Sequence, residues 1–160
     1  MTWKPHVTVA AVVPDGNRYL FVEERVRGRQ VINQPAGHLE VHESLVEAVQ
    51  RETLEESGYE IRAEACIGIY RWQAPDSDHV ILRFAFAGTV LAERHPAPPD
   101  PTVDGRLWLT RAELEDARDR HRSRMVLGNV LDYEAGRRFP LELLHEIPGT
   151  EGSTALGELP

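Results

Sequence analysis

The residues best suited to chemistry lie between positions 37 and 59. Glu52, Glu55 and Glu56 are three and four residues apart, so on a helix that turns about 100° per residue they fall within about a third of the circumference. The same arc carries the apolar residues of the first half of this segment, Leu45, Ala48 and Val49. The three carboxylates therefore continue the face that we expect to turn toward the core, whereas glutamate clusters on helices usually form a solvated face.

An inward-facing acidic cluster at the end of a helix needs a compensating cation. The helix dipole disfavours each negative charge there by about 0.3–1 kcal/mol, and like charges four residues apart repel one another. Carboxylate oxygens are hard ligands that suit Mg²⁺ or Mn²⁺, and Mg²⁺ commonly combines a few carboxylates with water and substrate phosphates. The spacing therefore predicts a divalent-metal site.

The same 23 residues resemble the Nudix box. Its fixed positions are matched at the right spacing by Gly37, Glu43, Arg51-Glu52, Glu55-Glu56 and Gly58. The resemblance implies a hydrolase of phosphorus-containing anhydrides with an α/β fold, the Nudix α/β/α sandwich with a mixed sheet and a loop-helix-loop metal site. It also implies that Glu52, Glu55 and Glu56 hold the metal, with any one of them as a possible base. Thr53 departs from the usual aliphatic residue, and we interpret it as a packing variation.

The ends of the helix and its arginine have recognisable roles. His42 or Ser44 could cap the start, and Gly58 stands where a left-handed terminator is expected. We expect Arg51 to orient a neighbouring carboxylate, for instance Glu47 or Glu43, rather than to contact phosphate.

Two further metal ligands are predicted outside the helix. The turn before the box brings backbone close to it, and the carbonyl of Ala36 is the most plausible one to face the metal. Members of the Nudix family often add a carboxylate from a distant loop. Asp104 is the candidate for that ligand, with Asp100 or Glu93 as alternatives. His38 and His42 are spaced like zinc ligands but lack a cysteine or further paired histidine in that loop, so zinc is a weak hypothesis.

A closer resemblance, to a subgroup of bacterial phosphatases within that family, extends beyond the box. It is carried by residues 6–9, 33–40, 71–76, 82–86 and 138–142. It implies release of phosphate from nucleoside tri- and diphosphates, and from pyrophosphate esters of thiamin and its hydroxymethylpyrimidine precursor. We predict that Trp72 stacks on the substrate ring and that Arg71 or Arg83 contacts phosphate, although a tryptophan at a strand end packs in a core about as often.

Hydrophobic patterns around the box predict a mixed sheet flanked by helices. Apolar and β-branched runs predict strands at 6–13, 18–26, 30–33, 60–73, 79–90 and 106–109. Residues 61, 63, 65, 67 and 69 should share one face of the fourth of these strands. Thr110 and Glu113 form a capping-box pattern for a helix to about Arg118, a second helix runs from Met125 to near Gly136, and residues 93–104 form a loop at the rim of the site.

Length and charge complete the expectations. The chain has 160 residues, a net charge of −8 and one cysteine, Cys66, which excludes an intrachain disulfide. We expect a single domain over residues 4–147, a flexible tail over 148–160, a cytoplasmic monomer or homodimer, and no nucleic-acid or membrane partner. Alternatives are a Nudix enzyme acting on ADP-ribose, a dinucleotide or capped RNA, or a non-enzymatic nucleotide-sensing Nudix module.

Overall fold

The computed structural model describes residues 2–75 and 78–147 of the chain. The strands are β1 His6–Val12, β2 Pro14–Asp15, β3 Arg18–Val26, β4 Arg29–Asn33, β5 Ala36–His38, β6 Tyr59–Gln73, β7 Val80–Glu93 and β8 Val103–Thr110. The helices are α1 Leu45–Ser57, α2 Arg111–Asp116 and α3 Met125–Glu134, with short 3-10 turns at Arg118–Arg120 and Leu141–Leu143.

The strands form two four-stranded sheets. In the first sheet the order is β5-β1-β7-β6, and it is mixed because β1 and β7 run parallel while the other pairs are antiparallel. In the second sheet β3 pairs with β2, β4 and β8, all antiparallel. The expected mixed sheet with flanking helices is confirmed, and the architecture is α/β.

Strand alternation creates two core layers. One face of β1 contributes Val9 and Ala11 to a cluster with Ala48 and Val49 of α1, and Val13, just after the strand, joins it. The opposite face belongs to a second cluster that packs against α2 and α3, with members Val12, Phe21, Ile67, Ala85, Leu114, Val126 and Val130. Helix α1 therefore lies on one side of the sheets and α2 and α3 lie on the other, because successive side chains of a strand point to opposite faces.

The prediction that five residues of β6 share one face is wrong. Ile61 and Ala63 pack in the α1 layer, whereas Ile67 packs in the layer beneath α3, and Ile69 is half exposed. The cause is a series of register shifts against β7, after residues 60, 63 and 66. The second and third shifts leave Glu64 and Ile67 of β6 without a partner, and an unpaired residue changes the face to which the neighbouring side chains point.

The remaining predicted elements are confirmed within one to three residues at most ends. Strand β8 begins at Val103, three residues earlier than expected, because it pairs with β3 as far as Glu24. The capping box of Thr110 and Glu113 is present, and Cys66 is buried in the core. Asp76 of the 71–76 segment and the predicted tail lie outside the described residues. No helix in the described ranges is long and apolar enough to cross a membrane.

Candidate active site

Helix α1 is delimited by the two caps that its sequence carries. Of the two predicted N-caps, Ser44 has the role: its hydroxyl accepts from the Glu47 N–H, and the Glu47 carboxylate accepts from the Ser44 N–H at 2.8 Å. At the other end Gly58 adopts a left-handed conformation with φ of 77°, as expected. An alanine there would also meet the His95 carbonyl oxygen at 2.5 Å. The helix therefore ends where the 94–102 loop packs against it.

Arg51 organises the acidic face. Its Nε and Nη2 donate to the two oxygens of Glu43 at 2.8 and 2.6 Å, and its Nη1 donates to Glu52 at 2.8 Å and to Glu55 at 3.1 Å. The prediction that Arg51 orients a neighbouring carboxylate is confirmed, with Glu43 as the bidentate partner, since Glu47 is engaged in the N-cap. Hydrogen bonding to Arg51 holds the pKa of Glu43 below its ordinary value, so Glu43 is an anionic anchor.

Glu52 and Glu56 are carboxylates with a high cost of ionisation. Burial raises the pKa of Glu56 from 4.5 to about 8, and the charges of Glu24, Glu52 and Asp100 act in the same direction. The Ala36 N–H, which donates to Glu56 Oε2 at 2.8 Å, only partly offsets these effects. Burial also raises the pKa of Glu52 against the opposing effect of Arg51. This is the electrostatic state expected of a site that a cation completes.

Packing explains why glycine stands at position 37 of the box and why threonine is accepted at position 53. A Cβ on Gly37 would lie 2.0 Å from the carboxyl carbon of Glu52, so only glycine lets the β5 backbone pass over that carboxylate. Thr53 is fully buried, and its hydroxyl donates to the Val49 carbonyl at 2.7 Å. Thr53 is therefore a core residue whose hydroxyl is hydrogen-bonded, which agrees with its interpretation as a packing variation.

The predicted backbone ligand, Ala36, lies beside these acids. Ala11 donates to the Pro35 carbonyl and Leu39 donates to the Val7 carbonyl. Since bonded and non-bonded pairs alternate in an antiparallel ladder, the N–H and carbonyl of Ala36 point away from β1. The N–H reaches Glu56, and the carbonyl lies on the same edge of β5.

These residues fit a hard divalent cation. The donors are carboxylate oxygens from Glu52, Glu55 and Glu56, with a strand-edge carbonyl at Ala36, which is the ligand chemistry of Mg²⁺ or Mn²⁺. Across residues 2–75 and 78–147, no three His, Cys, Asp or Glu side chains already have the spacing of a metal cage. Arg51 instead occupies an oxygen of Glu52 and one of Glu55, so a metal would compete with this guanidinium for them.

The structure gives the candidates for a further ligand different neighbours. Asp104 forms an ion pair with Arg25 at 3.1 Å, and Glu93 pairs with Arg106. Asp100 is held at the end of α1, where its N–H donates to the Glu55 carbonyl at 2.9 Å, and its charge raises the pKa of Glu56. The Asp100 Oδ1 accepts from the N–H and hydroxyl of Thr102 at 2.8 and 2.7 Å. Its place beside the end of α1 and its charge effect on Glu56 make Asp100 the better candidate of the two.

Sequence reasoning did not identify Glu24. This β3 residue accepts from Asn33 at 2.9 Å and from Arg122 at 2.9 Å, and among the charges that act on Glu56 its effect is the largest. Glu24 lies in an ordinary strand pattern without spacing to the box, so no local signal distinguishes it.

The three predicted substrate residues are not brought together. In the β6–β7 ladder Tyr70 is opposite Arg83 and Trp72 is opposite Ile81, whereas Arg71 is opposite Leu82. Trp72 and Arg83 therefore project from the face that packs toward α3, and Arg71 projects from the other face and is exposed. Arg83 is only 4% exposed.

The chain is similar in sequence to known proteins over almost all of its length. A sequence model of the NUDIX domain matches residues 4–127. The phosphatase NudJ of Escherichia coli K12 is 40% identical over 152 residues, an alignment that covers 94% of this chain and 98% of that protein. NudJ phosphatase of Shigella flexneri gives the same values.

Solved structures show the same fold. A NUDIX hydrolase from Nitrosomonas europaea superposes with a TM-score of 0.87 at 40% identity, covering 92% of this chain and all of that one. A UDP-X diphosphatase superposes with a TM-score of 0.69 at 17% identity, covering 88% of this chain and 68% of that chain. The second likeness concerns the fold alone.

Proposed function

The chain belongs to the Nudix hydrolase family, enzymes that act on phosphorus-containing anhydrides, and from this premise we propose that it releases inorganic phosphate from small substrates with a terminal di- or triphosphate. The proposed cofactor is Mg²⁺, with Mn²⁺ as an alternative, since Nudix hydrolases generally use divalent metal ions. The substrate class is nucleoside tri- and diphosphates together with thiamin-type pyrophosphate esters. The proposed setting is the cytoplasm, with no nucleic-acid or membrane partner and a monomeric or homodimeric state.

One observation carries the proposal: two neighbouring carboxyl groups, the buried Glu56 and the largely buried Glu52, are held against the β5 backbone. Glu56 is 9% exposed and accepts from Ala36, and Glu52 fills the space that a side chain at position 37 would take. Arg51 supplies a counter-charge to Glu52, but burial makes the ionisation of Glu56 unfavourable. A divalent cation held by these carboxylates would offset that cost, and it would supply charge stabilisation and a more nucleophilic water in phosphoryl transfer.

The chain's own side chains would hold the metal and orient the carboxylates around it. Glu52, Glu55 and Glu56 would hold the metal with the Ala36 carbonyl, and Asp100 is the favoured additional carboxylate, with Asp104 as the alternative. Arg51 is a positioning residue, because its fork on Glu43 fixes its place on the helix while Nη1 orients Glu52 and Glu55. Burial raises the pKa of Glu56 to about 8 in the metal-free protein, and a nearby divalent cation would favour its ionised form. An ionised carboxylate can accept a proton from water, so Glu56 is the proposed base if it is not a direct ligand.

The resemblance to NudJ supports phosphate release as the reaction. That protein is described as a phosphatase and matches this chain almost end to end at 40% identity. Trp72 is half-buried at the end of β6 on the same face as Arg83, where an aromatic ring could stack on a substrate ring. Arg71 projects from the other face, so its proposed phosphate contact has less support.

The test is a phosphate-release screen on the full chain with Mg²⁺, with Mn²⁺ and with a chelator. Substrates are nucleoside tri- and diphosphates, thiamin-type pyrophosphate esters and ADP-ribose, and products are separated chromatographically. We expect metal-dependent release of inorganic phosphate from the first two groups.

Two matched variants control this screen. Glu56→Gln should lower turnover by about 10²-fold or more, because it removes one charge from the site. Glu47→Gln is the same chemical change on the same helix, at the exposed N3 position of the capping box, and should leave turnover unchanged. Formation of AMP from ADP-ribose, with no phosphate from any free nucleotide or ester, would contradict the proposal and favour a different Nudix activity. Ligand binding without turnover of any substrate would favour a sensing module.

A further inference from the structure

A groove of about 630 Å³ lies on the outer side of α3. The residues that line it come from the segment leading into the helix and from one side of the helix: Arg118, His121, Ser123, Arg124, Leu127, Gly128 and Leu131. We call this set the α3 groove. The opposite side of α3 carries Val126 and Val130, which are fully buried under the sheet. Arg124 and Leu131 are exposed, so a ligand can reach the groove from solvent.

The segment leading into α3 has two sides with different charge partners. Arg120 pairs with Glu23, and Arg122 pairs with Glu24 at 2.9 Å. Both acids belong to β3, and neither of these arginines lines the α3 groove. Since Glu24 is the charge with the largest effect on Glu56, the side that carries Arg120 and Arg122 faces the acidic site. The α3 groove lies on the other side of the segment and is a separate place on the molecule.

The two arginines that line the α3 groove lack a full counter-charge. Arg118 lies 3.8 Å from Glu115, a carboxylate that already pairs with Arg111 at 3.2 Å. Among residues 2–75 and 78–147, Arg124 forms no ion pair. Burial lowers the pKa of His121, so the arginines supply the positive charge. In a chain with a net charge of −8, this groove is a local positive surface.

The start of α3 also favours a negative charge. Its N-cap residue is Arg124, and its first turn contains no acid. The Met125 N–H donates to the Ser123 hydroxyl at 3.2 Å, which is a neutral partner. A cation is the wrong charge for this end of the helix dipole, whereas an anion there is stabilised. An anionic ligand beside Arg124 would therefore offset an unfavourable arrangement of the chain's own residues.

The size of the α3 groove and its apolar residues define the rest of the ligand. Small-molecule sites usually measure about 300–1,000 Å³, and the groove falls in this range, so a bare phosphate ion would fill only a small part of it. Leu127 and Leu131 supply apolar surface one helical turn apart. A Cβ built on Gly128 would meet no atom within 4 Å. The groove therefore offers an open apolar surface next to its positive charge.

We propose that the α3 groove binds a small phosphate monoester with an aromatic body. Such a phosphate carries between about 1.5 and 2 negative charges at pH 7, and guanidinium groups bind phosphate through paired hydrogen bonds. The phosphate is held by Arg118 and Arg124, and the ring lies on Leu127 and Leu131 above Gly128. The inference goes beyond the proposed function, because the groove is separate from the acidic face. It concerns binding and involves no bond-making step.

The test follows phenyl phosphate binding by amide NMR spectra of the isotope-labelled full chain, in chelator so that no turnover occurs. Inorganic phosphate is the control anion without a ring, and benzyl alcohol is the control ring without an anion. We expect phenyl phosphate to shift the amide signals of residues 123–128 while those of Gly37 and Glu56 stay in place. It should bind at least about tenfold more tightly than either control compound, because burial of the ring adds to the contacts of the phosphate.

Two variants and a matched control separate binding in the α3 groove from general surface charge. Gly128→Leu places a side chain in the open space of the groove, and leucine favours a helix more than glycine does. This variant and Arg124→Gln should each weaken phenyl phosphate binding by about tenfold or more. Arg62→Gln removes an exposed arginine from β6 and should leave the affinity unchanged. Urea unfolding checks that each variant is folded, and Arg124→Gln together with the comparison of compounds on the unmodified chain decides the question even where Gly128→Leu does not fold.

Each outcome has a defined meaning. Phenyl phosphate that does not bind, or that binds no more tightly than inorganic phosphate, would overturn the proposal. Signals that move around Gly37 and Glu56 instead would overturn it in favour of the acidic site. Unchanged affinity in the folded groove variants would overturn it as well, because the ligand would then lie elsewhere. Tighter binding at residues 123–128 that the groove variants weaken and Arg62→Gln keeps would support it. None of these results affects the phosphate-release screen, which tests the proposed function separately.

Discussion

Glu56→Gln should make the metal-free protein more stable, increasingly so as the pH rises. Glu56 is 9% exposed, and its pKa in the folded protein is about 8 against an ordinary value of 4.5. Between these values the unfolded chain has lost the proton and the folded protein still holds it. Stability therefore falls as pH rises through this window, since the unfolded state binds fewer protons than the folded state.

The size of the effect follows from the same two pKa values. Each unit of pKa difference corresponds to about 1.4 kcal/mol. Between pH 4.5 and pH 7 Glu56 ionises in the unfolded chain but not in the folded protein, and this lowers the free energy of unfolding by about 3 kcal/mol. Glutamine keeps the side-chain shape and an oxygen for the Ala36 N–H, but it does not titrate. The variant should gain relative to the parent by roughly that amount at pH 7, and by little at pH 4.5.

The assay is urea unfolding at half-unit steps from pH 4.5 to 8.5, in chelator and again with Mg²⁺. Titrating groups that do not interact with Glu56 contribute equally to parent and variant and cancel in the difference, so the remainder reports Glu56 together with the acids that act on it, Glu24, Glu52 and Asp100. Glu55→Gln is the control, because Glu55 is on the same helix but its side chain is half exposed. Saturating Mg²⁺ should stabilise the parent more than Glu56→Gln, by mass action.

A pH dependence that is the same in Glu56→Gln and the parent would refute the reasoning. It would mean that Glu56 ionises as an ordinary surface acid and that the carboxylate face is not a desolvated cation site. If Mg²⁺ also stabilised both proteins equally and turnover were intact, the metal-site assignment would fall with it.

Three further perturbations follow from the contacts of the site. Gly37→Ala should lower turnover by about 10²-fold or more, because a Cβ there meets the Glu52 carboxylate at 2.0 Å, whereas Gly105→Ala, whose Cβ has its nearest contact at 3.6 Å, should leave turnover unchanged. Equal steady-state rates in the two variants would contradict the close approach at Gly37. Arg51→Lys should destabilise the protein by about 1–2 kcal/mol and reduce kcat, because lysine cannot form the two parallel hydrogen bonds that Arg51 donates to Glu43. An unchanged urea midpoint and an unchanged kcat would count against this role of Arg51. Asp100→Asn should weaken the thermal stabilisation that Mg²⁺ gives. Asp104→Asn should change this stabilisation little, because Asp104 pairs with the exposed Arg25. Melting curves in which Asp104→Asn loses more Mg²⁺ stabilisation than Asp100→Asn would restore Asp104 as the additional ligand.

Much of the fold could be predicted from local patterns. Period-two and β-branched runs marked the long strands, and Thr110, Glu113 and Gly58 marked helix ends by capping chemistry that acts over three or four residues. These signals succeed because hydrogen bonding at turns and caps is local. The pattern failed in β6, where bulges against β7 moved Ile67 to the opposite layer, because strand pairing is not encoded in the strand itself.

The sequence by itself determined the chemistry of the acidic face, since the spacing of Glu52, Glu55 and Glu56 places all three on one side of any helix that they form. Only the tertiary structure decided what surrounds them. Glu24 comes from β3 and Asp100 from the loop before β8, and both act on Glu56 through charge across the fold. Burial, which raises the pKa of Glu56 most, is likewise a property of the packed layers rather than of the helix.

The same division holds for the predicted substrate residues. Arg71, Trp72 and Arg83 are all polar or aromatic strand residues in sequence, and nothing local distinguishes them. Their faces are set by the β6–β7 register, which separates Arg71 from the other two. The Gln34 amide reaches the Val126 carbonyl at 2.6 Å only because α3 folds back over the sheet, and a contact between elements so far apart in the chain arises only when they pack together.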